Sequence, residues 1–174
     1  MIEYKLGKPK KGMTDVEVIN WRLEELFEGG KEYVISSLAD IVYDSQKPYV
    51  PTLTKQDCIE AIDRTMHKTE FINTTATAIN LDYLTEQGML LGELQEKVYS
   101  DKGSFGVDET LINVAQIYGT IAISNAFALD KIKPGVIGEV DVLGKTTEYC
   151  TTFLDDIFCA VAGSAMGKIA HNNG

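Results

Sequence analysis

A long segment of apolar and small residues near the C-terminus restricts the fold more than any other feature of the sequence. Residues 152–169 carry no charge between Asp156 and Lys168, and small residues recur at Ala160, Gly163 and Gly167. A helix with apolar residues on most sides must be buried, and small residues let its neighbours approach closely. We therefore predict a central helix here, surrounded by the other elements.

The apolar stretches are too short or too interrupted to span a bilayer, which takes about 20 consecutive apolar residues. Residues 114–129 contain Gln116 and Asn125, and the second stretch covers only residues 157–166. The sequence therefore predicts no transmembrane segment.

Helical spacing of apolar residues continues through the rest of the chain. Thr14 with Glu17, and Thr54 with Asp57, form the pattern of a capping box at the start of a helix. Pro48 lacks the amide hydrogen that a helix needs and ends the helix before the second of these caps. Further helices are predicted over residues 34–42, 72–83, 90–98 and 107–127. The last of these is apolar on most sides, so we predict it to be a second central helix.

Strand signals are sparse, and residues 132–143 are the only short candidate. The fold class is therefore predicted to be all-α. We expect one domain over residues 1–174, a bundle of about six or more helices around a central apolar helix. Residues 1–12 are expected to form a flexible tail.

The charge balance excludes one class of partner. The chain has 16 basic and 26 acidic residues, a formal charge of -10, which repels nucleic-acid backbones. A local cluster of lysines could still make peripheral contact with an anionic membrane. These are Lys5, Lys8, Lys10 and Lys11.

The cysteines indicate a reducing compartment. Cys58, Cys150 and Cys159 are odd in number, have no Cys-x-x-Cys spacing, and follow no signal-peptide pattern. The sequence therefore predicts a cytoplasmic protein with free thiols.

Two acidic residues interrupt the segment that should be driest. Asp155 and Asp156 fall in the first turn of the predicted central helix, where an unpaired buried charge costs several kcal/mol. One explanation is structural: Thr152 and Asp155 fit a capping box, and the helix dipole stabilises nearby carboxylates. The other is that a bound cation compensates the two acids.

Asp108 and Glu109 repeat this arrangement at the start of the other central helix. If the two helix N-termini lie side by side, their four carboxylates are close together and repel one another. A hard cation bound by oxygen ligands removes this repulsion. Asp130 and Lys133 add another oxygen ligand and a cation for a phosphate, unless they form only an exposed ion pair. Asp101, before a glycine turn, is a possible additional ligand.

These residues fall into three motifs that occur in a fixed order. They are Asp101-x-Gly103-Ser104 followed by Asp108-Glu109, then Leu129-Asp130-x-x-Lys133-Pro134, then Leu154-Asp155-Asp156-Ile157. In order and spacing they resemble the phosphatidylglycerophosphatase A family, and most closely its soluble Gram-positive branch, which is also labelled low-temperature-requirement protein. The resemblance covers about residues 101–170. Two family features differ: the membrane-spanning segments are missing, and residues 50–54 only echo the N-terminal Pro-Gly-Thr-x-Gly-Ser pattern.

The resemblance implies magnesium-dependent removal of the terminal phosphate from phosphatidylglycerophosphate or a related phosphoester of phospholipid metabolism. Ligands for one or two magnesium ions, or manganese, would come from Asp108, Glu109, Asp130, Asp155 and Asp156. Lys133 would hold the phosphate, and Asp108, Asp156 and Lys133 are the predicted catalytic residues. A homo-oligomer is expected. The competing hypothesis is a metal-binding or structural protein without turnover.

Other chemistries have weaker support. Cys58 and Arg64 match the Cys-x5-Arg spacing of thiolate phosphatases, but Glu60 and Asp63 between them would repel a phosphate. The two histidines, His67 and His171, have no zinc-ligand spacing. The sequence thus favours carboxylate and metal chemistry.

Overall fold

Capping side chains begin two helices of the structure, a computed structural model that describes residues 1–173. The Thr14 hydroxyl accepts a hydrogen bond from the Glu17 amide at 3.2 Å, and the Glu17 carboxylate accepts one from the Thr14 amide at 2.7 Å. Thr54 and Asp57 form the same pair of bonds. The predicted capping boxes of these two helices are confirmed, and each satisfies backbone donors that have no partner within the helix.

Residues 1–173 contain eight α-helices, one 3₁₀ helix and no strand, which confirms the predicted all-α fold. The α-helices are α1 (Asp15–Leu26), α2 (Gly30–Gln46), α3 (Lys55–Met66), α4 (Thr69–Glu86), α5 (Leu94–Tyr99), α6 (Thr120–Ile132), α7 (Gly135–Thr146) and α8 (Leu154–Asn172). The 3₁₀ helix is Asp108–Tyr118, between α5 and α6.

Helix α8 is the centre of the fold. Every residue from Leu154 to Gly167 is buried, and the helix packs against α2, α3, α4, α6, α7 and the 3₁₀ helix. Burial on all sides is what an apolar helix of this composition requires. The predicted central helix is confirmed.

Small residues bring α8 and α6 into backbone contact. A Cβ atom on Gly163 would lie 2.6 Å from the Ala126 nitrogen and 2.7 Å from the Ala122 oxygen. A Cβ atom on Gly167 would have more room, with the Cβ atom of Ala122 nearest at 3.1 Å and the backbone of Ala122 at 3.3 Å or more. Gly163 is therefore the point at which the two helices approach too closely for any side chain.

The prediction of a single second central helix over residues 107–127 is wrong. Residues 107–127 do not make one helix, because Gly119 at φ 93° separates the 3₁₀ helix from α6. Glycine adopts this left-handed region without steric cost, so the chain can turn there. Only Ile112 and Ala115 of the 3₁₀ helix are buried, whereas α6 packs along α8.

The one short strand candidate, residues 132–143, is helical instead. Most of it lies in α7, whose buried residues Val136, Ile137 and Val140 recur at helical spacing. Pro134, in extended conformation, precedes the first helical residue. The β-branched residues suggested a strand, but packing against α2 and α8 overrides that weak preference.

The N-terminal segment is attached to the helices, where the sequence suggested a flexible tail. Tyr4 is buried and its hydroxyl donates to Glu86 at 2.6 Å. The carboxylate of Glu25 accepts hydrogen bonds from the Lys5 and Leu6 amides. Lysine content predicted solvation of the segment but gave no indication of these contacts.

We expect Gly163→Ala to lower the free energy of unfolding by about 1–3 kcal/mol or more, because the added methyl group meets backbone atoms that cannot rotate away. Gly167→Ala should cost less, since no atom would lie closer than 3.1 Å to the added methyl group. Gly103→Ala is the control, as a Cβ atom there meets nothing within 4 Å. Urea unfolding of the three variants checks this order, and equal stability of Gly163→Ala and wild type would contradict it.

Candidate metal and phosphate site

The predicted site residues share one cavity of about 250 Å³ at the start of α8. All seven line it, together with four residues that the sequence analysis did not propose as site residues. The lining residues are Asp101, Lys102, Gly103, Asp108, Glu109, Asp130, Lys133, Asp141, Lys145, Asp155 and Asp156. The fold thus brings together the ends of α6 and α7, the start of α8, and the loop before the 3₁₀ helix.

Three carboxylates lie close enough to share one cation. One oxygen each of Asp130, Asp155 and Asp156 lies within 4.8 Å of the other two. Asp155 and Asp156 are 6% and 2% exposed. Asp108, half-buried, and Glu109, exposed, line the same cavity but fall outside this close group. Asp130, Asp155 and Asp156 are called the aspartate triad below.

Lys133 bridges the triad. Its Nζ atom donates to Asp130 Oδ1 at 2.9 Å and to Asp155 Oδ2 at 2.7 Å. The predicted ion pair with Asp130 is therefore present, but it is only part of a larger contact, and the lysine side chain is only 29% exposed. Lys133 ends α6 with a left-handed backbone, φ 48°, where the chain turns toward α7.

Asp141 and Lys145 are the charged site residues on α7 that the sequence analysis missed. Lys145 Nζ lies 2.7 Å from Asp141 Oδ2, and Asp141 Oδ1 lies 3.6 Å from Lys133 Nζ. An acid and a lysine four residues apart are neighbours on a helix surface. This spacing was a usable signal, but no helix was predicted over residues 135–146, so the two residues were not placed on one surface.

The start of α8 differs from the predicted capping box. Phe153 occupies the cap position without a side-chain hydrogen bond, and the Thr152 hydroxyl instead donates to the Val98 carbonyl at 2.7 Å. The Asp156 amide donates to Asp155 Oδ1 at 2.9 Å. Both acids still lie in the first turn, where the helix dipole favours negative charge.

Burial makes ionisation of Asp155 and Asp156 costly. It raises the pKa of Asp155, an effect that the Lys133 ammonium group partly offsets. Burial also raises the pKa of Asp156, and the charges of Asp155 and Asp108 raise it further. For Lys133, burial lowers the pKa, but the neighbouring carboxylates outweigh burial and raise it overall. The ammonium group therefore stays charged and leaves part of the acidic charge uncompensated.

The donor set fits a hard divalent cation. The cavity is lined by seven carboxylates against three lysine ammonium groups, so added positive charge is electrostatically favoured. Carboxylate oxygens are the ligands that magnesium and calcium prefer, and the triad contains neither histidine nor cysteine. The aspartate triad, with Asp108 and Glu109 beside it, can therefore hold a metal ion.

The thiolate alternative does not fit the structure. Cys58 to Arg64 lies wholly within α3, so these residues cannot form a phosphate-binding loop. Burial raises the pKa of the Cys58 thiol to about 11, and Arg64 pairs with Glu60. Cys58 is therefore a core residue.

Comparison with known proteins agrees with this geometry. The sequence profile described as phosphatidylglycerophosphatase A matches residues 26–171. The chain belongs to the phosphatidylglycerophosphatase A family. The resemblance noted from the three motifs is thereby confirmed, and the family match extends it well beyond them.

Several relatives of this phosphatidylglycerophosphatase A family member cover most of its length. YutG of Bacillus subtilis is 38% identical over 138 residues, which are 79% of this chain and 82% of YutG. The crystal structure of low temperature requirement C protein from Listeria monocytogenes has a TM-score of 0.80 at 31% identity, covering 94% of this chain and 98% of that one. A structure from Bacillus stearothermophilus has a TM-score of 0.79 at 38% identity, with 91% and 94% covered.

Helix length and apolarity decide whether a helix can span a bilayer. Over residues 1–173, none of the helices combines the length and the apolar composition needed to cross a bilayer.

Asp156→Asn should stabilise the metal-free protein at neutral and higher pH, by at least about 1 kcal/mol. A carboxyl group with a raised folded-state pKa loses its proton first in the unfolded chain. The free energy of unfolding therefore falls as pH rises from the ordinary aspartate value, about 4, through the raised value. The asparagine removes this loss.

Urea unfolding with a chelator at pH 5 and pH 8 measures the effect. Asp44→Asn, which removes an exposed carboxylate outside the cavity, should keep the wild-type pH dependence. If Asp156→Asn also kept it, the carboxyl group of Asp156 would not carry the electrostatic cost assigned to it.

Proposed function

We propose that this protein is a magnesium-dependent phosphomonoester hydrolase that acts on phosphatidylglycerophosphate or a related phosphoester. The observation that carries the proposal is the aspartate triad bridged by Lys133 in one cavity, in a member of this family. A metal ion held by oxygen ligands neutralises phosphoryl charge, and an ammonium group can bind a phosphate oxygen by a charge-assisted hydrogen bond.

The triad would hold the metal, with Asp108 and Glu109 completing the ligand set and Asp101 as an additional candidate. When bound, magnesium supplies charge neutralisation for the phosphoryl oxygens and acidifies a water molecule. The burial of Asp155 and Asp156 serves this role, because low solvent access strengthens the interaction between carboxylates and a cation.

Lys133 supplies the counter-charge for the phosphate. Its ammonium group lies 2.7–2.9 Å from two triad carboxylates, so it adjoins any phosphate bound at the triad. Two further ammonium groups, of Lys102 and Lys145, line the cavity and add to the attraction for a dianion. Asp108, Asp156 and Lys133 are therefore the proposed catalytic residues.

A lipid substrate is the finer part of the proposal. It is supported by the family description, and it requires the protein to approach a membrane surface without a spanning helix. The lysines of the N-terminal segment remain the proposed peripheral contact with anionic lipid. Assembly into a homo-oligomer also remains a prediction.

One observation favours the alternative, a metal-binding protein without turnover. Lys133 is already paired with Asp130 and Asp155, so it has little capacity left for a phosphate unless these bonds exchange. This alternative predicts that magnesium binds and that no phosphate is released.

A phosphate-release screen tests the proposal. The screen compares phosphatidylglycerophosphate in mixed micelles with soluble phosphomonoesters, each with magnesium, with manganese, and with a chelator. We expect metal-dependent release with the lipid as the best substrate. Magnesium binding by calorimetry without release from any substrate would establish the alternative, and no binding at millimolar magnesium would reject both.

Lys133→Ala should lower turnover roughly a hundredfold or more, because a charged hydrogen bond to the transferring group contributes about 2.7–4 kcal/mol. Magnesium affinity should stay level or improve, since the ammonium group repels the cation and occupies triad oxygens. Lys131→Ala, an exposed lysine at the end of the same helix, is the control and should change neither quantity. Unchanged turnover in Lys133→Ala would remove Lys133 from the catalytic residues.

A further inference from the structure

The five residues that precede the first acid of the triad on α8 are held by hydrogen bonds to other parts of the chain. Residues 150–154, called the lead segment here, are all buried although most of them lie outside any helix. A buried segment without regular structure must find partners for its backbone groups elsewhere. The nature of those partners shows how the first turn of α8 is placed.

Asp82 of α4 binds the lead segment directly. Its Oδ1 atom accepts from the Phe153 amide and its Oδ2 atom from the Leu154 amide, both at 3.1 Å. The first amides of a helix have no acceptor within the helix, and α8 has no side-chain cap of its own. Asp82 therefore acts as the N-cap of α8 from a different helix.

The other residues of the lead segment are fixed as well. Arg22 donates to the Cys150 carbonyl at 2.8 Å and pairs with Glu86, which accepts from the Cys150 amide at 2.8 Å. The Thr151 hydroxyl donates to the Val140 carbonyl at 2.8 Å and the Thr152 hydroxyl to the Val98 carbonyl. Every residue from Cys150 to Leu154 thus has a long-range hydrogen bond.

Capping α8 with the buried carboxylate of Asp82 costs free energy, which indicates that a cap residue on α8 itself would not hold the helix in the same position. Its side chain is fully buried, and a buried carboxylate costs several kcal/mol unless it is well compensated. Ser, Thr or Asn at the cap position satisfies the same amides with little burial. A local cap moves with its own helix, however, whereas two bonds from α4 fix both the rotation and the height of the first turn of α8.

The first turn of α8 needs such an anchor. The close contact between α6 and α8 is at Gly163, whereas Asp155 lies eight residues earlier, roughly 12 Å along the helix axis. A small tilt about the Gly163 contact would therefore separate Asp155 and Asp156 from Asp130 on α6. Asp82 opposes that tilt at the end of the helix where the triad lies.

We propose that Asp82 is a positioning residue of the metal site. By binding the amides of Phe153 and Leu154, it fixes the first turn of α8 so that Asp155 and Asp156 meet Asp130. Asp82 does not line the cavity, and its bonds to Phe153 and Leu154 are to backbone amides. This inference rests on the proposed metal-dependent function.

The experiment measures magnesium affinity by calorimetry, and hydrogen exchange of the amides of residues 153–156 without metal. Asp82→Ala should raise the magnesium dissociation constant roughly 10–100-fold, the usual effect of losing an outer-shell partner. Asp82→Asn should have a smaller effect, because its amide oxygen keeps one of the two acceptors. Exchange at residues 153–156 should become faster in the same order.

Ile79→Val is the control for general destabilisation. Ile79 is buried in α4 one turn before Asp82, and its loss of a methylene group leaves the polar contacts of the lead segment in place. The magnesium dissociation constant of the Ile79→Val variant should stay within about twofold of wild type, well below the effect of losing an outer-shell partner.

If Asp82→Ala does not fold, Asp82→Asn and Thr152→Val carry the test. Thr152→Val keeps the side-chain shape but loses the hydroxyl bond to Val98, so it should also raise the dissociation constant. Unchanged affinity in the folded Asp82 variants, or an equal loss in Ile79→Val, would overturn the positioning role.

Failure of the proposed function can be distinguished from failure of the positioning role. Magnesium binding by wild type without phosphate release would reject the hydrolase and leave the positioning role intact, since both of its readouts are independent of turnover. No magnesium binding by wild type would reject the metal site and the positioning role together.

Discussion

The backbone contact between α6 and α8 at Gly163 is the constraint on which the rest of the structure depends. It places α8 in the middle of the fold, buried from Leu154 to Gly167. A helix enclosed this completely cannot present its first-turn acids to bulk water. Asp155 and Asp156 are therefore directed into a cavity in which other charged groups must balance them, and the chemistry of the site follows from the packing.

Two groups of charged residues lie near the start of α8. In the first, Lys133 bridges Asp130 and Asp155, and the excess of carboxylates leaves room for a cation. In the second, Arg22 pairs with Glu86 and lies near Asp82, which binds the first amides of α8. The first group is open to a cavity and suited to binding, whereas the second is closed and suited to holding the backbone in place.

Sequence patterns predicted what depends on local spacing. The central helix, both capping boxes and the gathering of seven charged residues were all visible in composition and motif order. The break at Gly119 and the helix α7 were missed, because a single glycine or a run of β-branched residues fits more than one structure. Asp82 was missed since its role depends on contact between α4 and the lead segment, although an acid on the apolar face of a predicted helix was a usable signal.

The turn at Lys133 has a consequence for how this position can vary in evolution. A left-handed backbone costs a lysine roughly 1–2 kcal/mol relative to a glycine, and a Cβ atom on Gly138 would lie 2.5 Å from the Lys133 carbonyl, so the surrounding turn is tightly fitted. The backbone conformation alone would favour glycine here. The lysine is offset by the bonds of its ammonium group to Asp130 and Asp155, so a homologue with glycine in its place would be expected to keep the turn and to lose the charge that compensates these two carboxylates.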